Sequence, residues 1–159
     1  MEIGTIGAGD FAQAFAKRAL KAGHKVKISN SRGPASLREI VDQLGPEATA
    51  ATKEEAAACE MVLLAVPWDN VPGTLASLPK WNNQILIDGT NPFHGKAGDF
   101  TPADVGNLST SAKKRVETLL EGFGYSVIDL GNLRDGGLIQ QAGGPLAGRD
   151  FLERGEYPK

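Results

Sequence analysis

The chain carries a single cysteine, Cys59, in 159 residues. That excludes an internal disulfide and fits a reducing compartment. Cys59 sits in an Ala-rich segment just before a strand pattern, the setting of a packed side chain rather than of a nucleophile. Histidine is scarce as well, with two residues, His24 and His94, and no His/Cys/Asp grouping has metal-ligand spacing. An excess of either charge is also missing. Lys and Arg total 17 against 19 Asp and Glu, a net charge of −2, which leaves no electrostatic footprint for nucleic acid or an anionic membrane surface. No apolar run approaches the ~20 residues of a membrane span, and the N-terminus leads directly into a strand pattern, so no signal peptide is expected. There is no Gly-x-Ser-x-Gly elbow and no repeat at solenoid periods. These absences point to a cytoplasmic protein with neither nucleic-acid nor membrane partners. The length suits one domain over residues 1–159 and leaves no room for a full second substrate domain.

Glycine, in contrast, is plentiful, with 20 residues clustered at expected turns. The richest of these turns opens the chain. Met1-Glu2-Ile3-Gly4-Thr5-Ile6 reads as a short apolar strand that runs into Gly7-Ala8-Gly9-Asp10-Phe11-Ala12 and then into a helix. In this Gly-x-Gly-x-x-Ala pattern Gly7 permits the tight strand-to-helix turn. Gly9 lets the backbone approach a pyrophosphate, and Ala12 keeps the helix close to its strand. The helix N-terminus adds free N–H groups and a partial positive charge.

The second strand, His24 to Ser29 after the helix-ending Gly23, decides which dinucleotide fits. NAD sites place an Asp or Glu at the end of this strand to hold the ribose 2′-hydroxyl, a carboxylate that would repel a 2′-phosphate. Here the segment is Ser29-Asn30-Ser31-Arg32-Gly33-Pro34, with no acid. Asn30 and Ser31 can donate hydrogen bonds, and Arg32 can make a bidentate contact to phosphate. The plainer alternative is a turn whose Arg is merely solvated. The residues favour NADP(H).

Further along, apolar periodicity marks a first helix to about Ala22, with Phe11, Ala14, Phe15 and Leu20 on its buried side and Gln13, Lys17, Arg18 and Lys21 outside. Leu37, Ile40, Val41 and Leu44 mark a second helix that starts at Pro34 and is stopped by Gly45-Pro46. A short strand is expected at Ala48-Thr49-Ala50, then a capping box at Thr52 to Glu55 opening a short helix. Met61 to Val66 has the continuous apolar character of a central parallel strand. A weak helix over 70–77 and a strand at Gln84 to Asp88 follow. Residues 89–108 read as a long loop, then a helix over 110–121 and a sixth strand over 125–130. The alternation implies an α/β Rossmann-type fold: a doubly wound, mostly parallel sheet in three αβα layers, with a crevice at its switch point.

Three more segments, taken with the opening turn, carry a resemblance to a known family. Asn30-Ser31-Arg32-Gly33-Pro34, Ala65-Val66-Pro67-Trp68 and Asp88-Gly89-Thr90-Asn91-Pro92 follow the second, fourth and fifth strands in that order. The tail adds Gly124-Tyr125-Ser126-Val127-Ile128-Asp129-Leu130-Gly131 and Gly143-Gly144-Pro145-Leu146-Ala147-Gly148. Together they resemble the NADP oxidoreductases that depend on the deazaflavin coenzyme F420; the nucleotide domains of membrane ferric reductases look similar. There is one departure. Family members carry about fifty more residues, roughly a third of a domain, between positions like Gly106 and Ser109, where they build the sheet edge and the acceptor side of the cleft.

The turn at Gly7, Ala8, Gly9, Asp10, Phe11 and Ala12 should therefore hold the pyrophosphate, and Asn30, Ser31 and Arg32 the 2′-phosphate side. Val66, Pro67 and Trp68 fall along the nicotinamide ribose, and Thr90, Asn91 and Pro92 near the ring. Trp68 reads equally well as a partly buried aromatic at a strand end, and Pro67 and Pro92 as strand terminators. The resemblance suggests that Gly144-Pro145-Leu146 borders the acceptor, and it implies a homodimer. No catalytic acid or base stands out; His94 and Lys96, in the long loop, are the nearest candidates. Direct hydride transfer to a small-molecule redox acceptor, a deazaflavin or flavin, asks least of the protein. Two other readings remain: an NADPH-binding sensor or docking module without turnover, and a carbonyl or imine reductase using His94 or Lys96.

Overall fold

The structure, a computed structural model, describes residues 1–90, 93–96, 99–102, 113–125 and 127, with side chains over 1–90, 114–125 and 127. The chain forms two compact units, Met1–Asn91 and Pro92–Lys159, each considered by itself.

The first unit is a parallel sheet of β1 (Glu2–Ile6), β2 (Lys25–Ser29), β3 (Ala48–Ala50), β4 (Met61–Leu64) and β5 (Ile85–Asp88). The strand order is β3-β2-β1-β4-β5, and every pairing is parallel. The chain winds outward from β1 to β2 and β3, then returns to place β4 on the other side of β1. The switch point is the β1/β4 boundary. All four residues of β4 are buried, as a continuous apolar run covered on both faces requires.

Helix α1 (Asp10–Lys21) joins β1 to β2, and α2 (Arg38–Leu44) follows a 3₁₀ turn over Pro34–Leu37. Helix α3 (Lys53–Ala57) precedes β4, and α4 (Val71–Ala76) follows a 3₁₀ turn over Trp68–Asn70. Ile6, Val62 and Leu64 of the sheet share a core with Ala57 and Cys59, on which Val71, Leu75 and Leu78 of the α4 segment pack. This is one face. Helices α1 and α2 touch one another, and the right-handed crossover that parallel strands take puts them on the opposite face. The three αβα layers follow.

Several local signals act as expected. Thr52 Oγ1 accepts from the Glu55 N–H at 3.2 Å while the Glu55 carboxylate accepts from the Thr52 N–H at 2.8 Å, completing a capping box. Helix α1 ends in a Schellman arrangement, with the His24 N–H on Ala19 O and the Gly23 N–H on Leu20 O. One expectation fails. The buried stripe of α1 is Ala12, Phe15, Ala16 and Ala19, whereas Phe11 and Ala14 are exposed. The helix lies on the sheet through its small residues, which permit a closer approach than a Phe11/Ala14 stripe would, and this rotates Phe11 away from the core.

The second unit contains an antiparallel pair, β6 (Phe93–Lys96) and β7 (Asp99–Pro102), with Phe93 opposite Pro102 and Lys96 opposite Asp99, and then helix α5 (Lys113–Gly122). The hairpin corrects the reading of 89–108 as a featureless loop. With Gly95 and Pro102 inside strands of four residues, neither alternation nor propensity marked them. The sixth strand expected over 125–130 and the Gly144-Pro145-Leu146 turn fall outside the described residues.

Candidate functional site

Because the sheet is parallel, the C-terminal ends of β1, β2, β4 and β5 lie along one edge, where ligands of open α/β sheets bind. The turn after β1 is held from below by two buried hydroxyls. Thr5 Oγ1 donates to Gly7 O at 3.0 Å, and Ser29 Oγ donates to Thr5 O at 2.7 Å. The Gly7 N–H donates to Ser29 O at 3.0 Å, tying the turn to the end of β2. Both hydroxyl residues are fully buried, and both are satisfied, as buried polar groups must be. Gly7 has φ +117°, and a Cβ there would run into the Ala65 carbonyl. The glycine therefore serves both the left-handed turn and the contact between the first turn and the end of β4.

Gly9 differs. It caps α1 without any side-chain hydrogen bond, and a Cβ placed on it would meet nothing within 4 Å. The space over the helix N-terminus is thus open, with the first-turn N–H groups facing it. Ala8 is kept in place by Gln13, whose Nε2 donates to Ala8 O at 2.9 Å. The carboxylate of Asp10 lies in the first turn and is exposed.

Phe11 stands beside this opening, 58% exposed. A Cβ on Gly89, just past β5, would come within 2.6 Å of Phe11 Cε1. The ring therefore lies over the Gly89 backbone, at the β4/β5 side of the edge. Gly89 is pinned by its N–H to Leu64 O at 2.9 Å. Thr90 donates to Asp88 Oδ1 through both its N–H, at 2.9 Å, and its hydroxyl, at 2.7 Å, so Asp88 shapes the turn after β5. Asn91 and Pro92 fall outside the described residues.

After β2, Asn30 is half-buried while Ser31 and Arg32 are exposed. The Asn30 side chain is engaged within its own loop, accepting from the Arg32 N–H at 2.9 Å and donating to Ser36 Oγ at 3.0 Å. Arg32 forms no ion pair among the described residues. After β4, Val66 packs on the Ile6–Val62–Leu64 core, Pro67 is exposed, and Trp68 is half-buried at the start of its 3₁₀ turn.

Other chemistry-bearing groups of the first unit lie away from this edge. His24 precedes β2 at the other end of the sheet; burial, with the chain-terminal ammonium, lowers its pKa below the ordinary imidazole value. Cys59 precedes β4 at that same end and is buried, with its Sγ 3.9 Å from Glu2 Oε2. His94 and Lys96 belong to β6 of the second unit. Among the described residues no group of three His, Cys, Asp or Glu could hold a metal ion, and no helix is long and apolar enough to cross a membrane.

The residues fit a phosphorylated dinucleotide on three structural grounds. An open cradle stands over Gly9, the N-terminus of α1 has no side-chain cap, and the end of β2 displays a cation in place of a carboxylate. Thr5, Ser29, Gln13 and Asp88 hold these turns, a role not assigned to them from the sequence. A polar residue at the buried end of an apolar strand, as at Thr5 and Ser29, is the signal that could have found two of them.

Comparison with known proteins bears on the same segments. A hypothetical protein from Sinorhizobium meliloti is 28% identical and superposes with a TM-score of 0.82 over 96% of both chains. The short format of this chain is therefore shared by a second protein. A candidate F420-dependent NADP reductase from Arthrobacter sp. FB24 is 23% identical, with a TM-score of 0.54 over 76% of this chain and 59% of its own. That likeness is one of fold. No curated protein matches the chain. The model of the family described as NADP oxidoreductase, coenzyme F420-dependent, matches residues 2–92, the whole described edge from the glycine turn to the end of β5, and the chain belongs to that family of NADP-linked oxidoreductases.

Proposed function

We propose that the protein binds NADP(H) across the β1/β4 switch point and exchanges hydride between it and a deazaflavin (coenzyme F420) or flavin-like acceptor. The observation that carries the cofactor choice is the end of β2, where Arg32 is exposed beside Ser31 and no acid is present. Bound there, the nicotinamide and a planar acceptor supply the redox chemistry themselves, so the protein's work is proximity and orientation.

The first-turn N–H groups of α1, over the open Gly9, bind the pyrophosphate. Ser31 and the Arg32 guanidinium bind the 2′-phosphate, with the charge-assisted strength such pairs have. Phe11, lying over Gly89, offers an apolar surface that keeps water from the β4/β5 side. Val66, Pro67, Trp68 and Thr90 bound the same side.

The test is NADPH oxidation, followed by absorbance, with purified protein and coenzyme F420. Protein-dependent oxidation is expected, faster with NADPH than with NADH. Replacing Arg32 by Ala should weaken NADPH about ten- to a hundredfold, the loss of one charge-assisted contact, and leave NADH nearly unchanged. Equal weakening of both would remove the 2′-phosphate role. Tight NADPH binding without turnover on any acceptor would support a binding module instead. That reading draws on the chain's spanning only 59% of the Arthrobacter protein.

A further inference from the structure

We infer that Ser36, a residue just past the segment Asn30–Pro34 that carries the resemblance, is a positioning residue for NADPH selectivity, acting with Asn30 to hold Ser31 and Arg32 toward the 2′-phosphate. The inference rests on the NADP(H) reading above.

Asn30 leaves β2 directly after Ser29, which is bonded to both Thr5 and Gly7. Its backbone is thereby fixed to the pyrophosphate turn. From this anchor, Asn30 Nδ2 donates to Ser36 Oγ at 3.0 Å, and Ser36 Oγ lies 2.8 Å from Gly33 O. A hydroxyl has one proton and can accept as it donates. Ser36 Oγ also lies 3.2 Å from Asn30 Oδ1; the shorter Gly33 contact takes the Ser36 proton, and the Asn30 amide nitrogen fills the hydroxyl's acceptor side. The result is a directional chain, Asn30 to Ser36 to Gly33. The Ser36 N–H also donates to Gly33 O at 3.1 Å, and the Arg32 N–H donates to Asn30 Oδ1 at 2.9 Å.

Residues 30–36 are closed into a ring in which the Asn30 and Ser36 side chains bond to each other and to the Arg32 N–H and the Gly33 carbonyl. Ser31 and Arg32 are exposed at its rim. Asn30, read from sequence as a direct donor to the ligand, is instead spent on the loop. Ser36 carries the far end of the brace. Without its hydroxyl, the Gly33 carbonyl loses one donor and the Asn30 amide loses its acceptor. The rim is then free to sample orientations in which Arg32 misses the phosphate.

The experiment measures NADPH and NADH binding to the full chain by titration, for the native protein and for Ser36→Ala, Ser36→Thr and Arg32→Ala, with melting temperatures alongside. The expected result is about three- to tenfold weaker NADPH binding for Ser36→Ala, the worth of one ordinary hydrogen bond, with NADH and the melting temperature nearly unmoved. Ser36→Thr, which keeps the hydroxyl, should retain native NADPH binding. If Ser36→Ala weakens NADPH and NADH equally, or changes neither while Arg32→Ala selectively weakens NADPH, the positioning role is overturned and the NADP(H) reading stands. If Arg32→Ala shows no selectivity, the NADP(H) reading falls and this inference with it.

Discussion

Replacing Gly89 by Ala should unsettle Phe11, and removing the Phe11 ring should largely cancel the damage. The added Cβ would sit 2.6 Å from Phe11 Cε1, 3.0 Å from Leu63 Cδ1 and 3.1 Å from Leu64 O. Carbon atoms in comfortable contact stand about 3.5–4.0 Å apart, so the ring has to withdraw by about 1 Å. The backbone oxygen of Leu64 belongs to the central strand and cannot yield. Phe11, 58% exposed, can. Overpacking of this kind costs about 1–3 kcal/mol, and an exposed escape route places Gly89→Ala near the lower end. Phe11→Ala alone should cost less than about 1 kcal/mol, since the ring buries little. In the double variant the tightest contact is gone; the 3.0 Å and 3.1 Å approaches to Leu63 Cδ1 and Leu64 O remain, and each needs only a few tenths of an ångström, taken up by Leu63 and by the substituted residue itself. The two changes should therefore be non-additive by about 0.5–1 kcal/mol in the compensating direction, within the range for touching residues. Urea denaturation of the four proteins, read as midpoint shifts at constant m, measures this. Additivity within about 0.3 kcal/mol would show that the ring does not rest on Gly89, and the account of Phe11 as a wall of the site would fail with it.

The other predictions concern the turns and the opposite end of the sheet. Gly7→Ala combines φ +117° with a Cβ driven into the Ala65 carbonyl; it should lower the melting temperature more than any other single change discussed and abolish NADPH binding. Backbone and side-chain hydrogen bonds from Thr52 hold the Glu55 carboxyl below its ordinary pKa. Its contribution to stability is therefore complete above the unfolded carboxylate value and is lost as pH falls through the lower folded one. Glu55→Gln, which keeps the capping bond without the titration, should flatten this part of the acid limb in pH-dependent melting. Burial, then the neighbouring Glu2 carboxylate, raises the Cys59 thiol above its usual pKa, so a disulfide reagent at neutral pH should label Cys59 only at the rate of unfolding; prompt labelling would contradict its burial.

Much of this was legible along the chain because its causes are local. The central strand Met61–Leu64 announced itself by an unbroken apolar run, the capping box by Thr52 and Glu55 at the required spacing, and the end of α2 by Gly45. The glycine turn and the acid-free end of β2 were legible for the same reason, since each is a short contiguous segment. The hairpin β6–β7 was invisible, because pairing between two short strands carries no periodic signature when Gly and Pro interrupt them.

The sequence by itself determined the alternation of strands and helices, the position of the glycine turn after β1 and the absence of a carboxylate at the end of β2. Those follow from residue type and spacing. Only the tertiary structure decided which face of α1 is buried, and hence that Phe11 lies over Gly89 instead of in the core. Helical periodicity defines a stripe to within about a residue, and the packing distance to the sheet chose alanines for the contact. The fold alone also revealed that Thr5 and Ser29 brace the turn, and that Asn30 is bound to Ser36 rather than left for a ligand. A side chain's hydrogen-bond partner depends on what is brought near it in space, and that proximity is decided by the closure of the sheet and its loops.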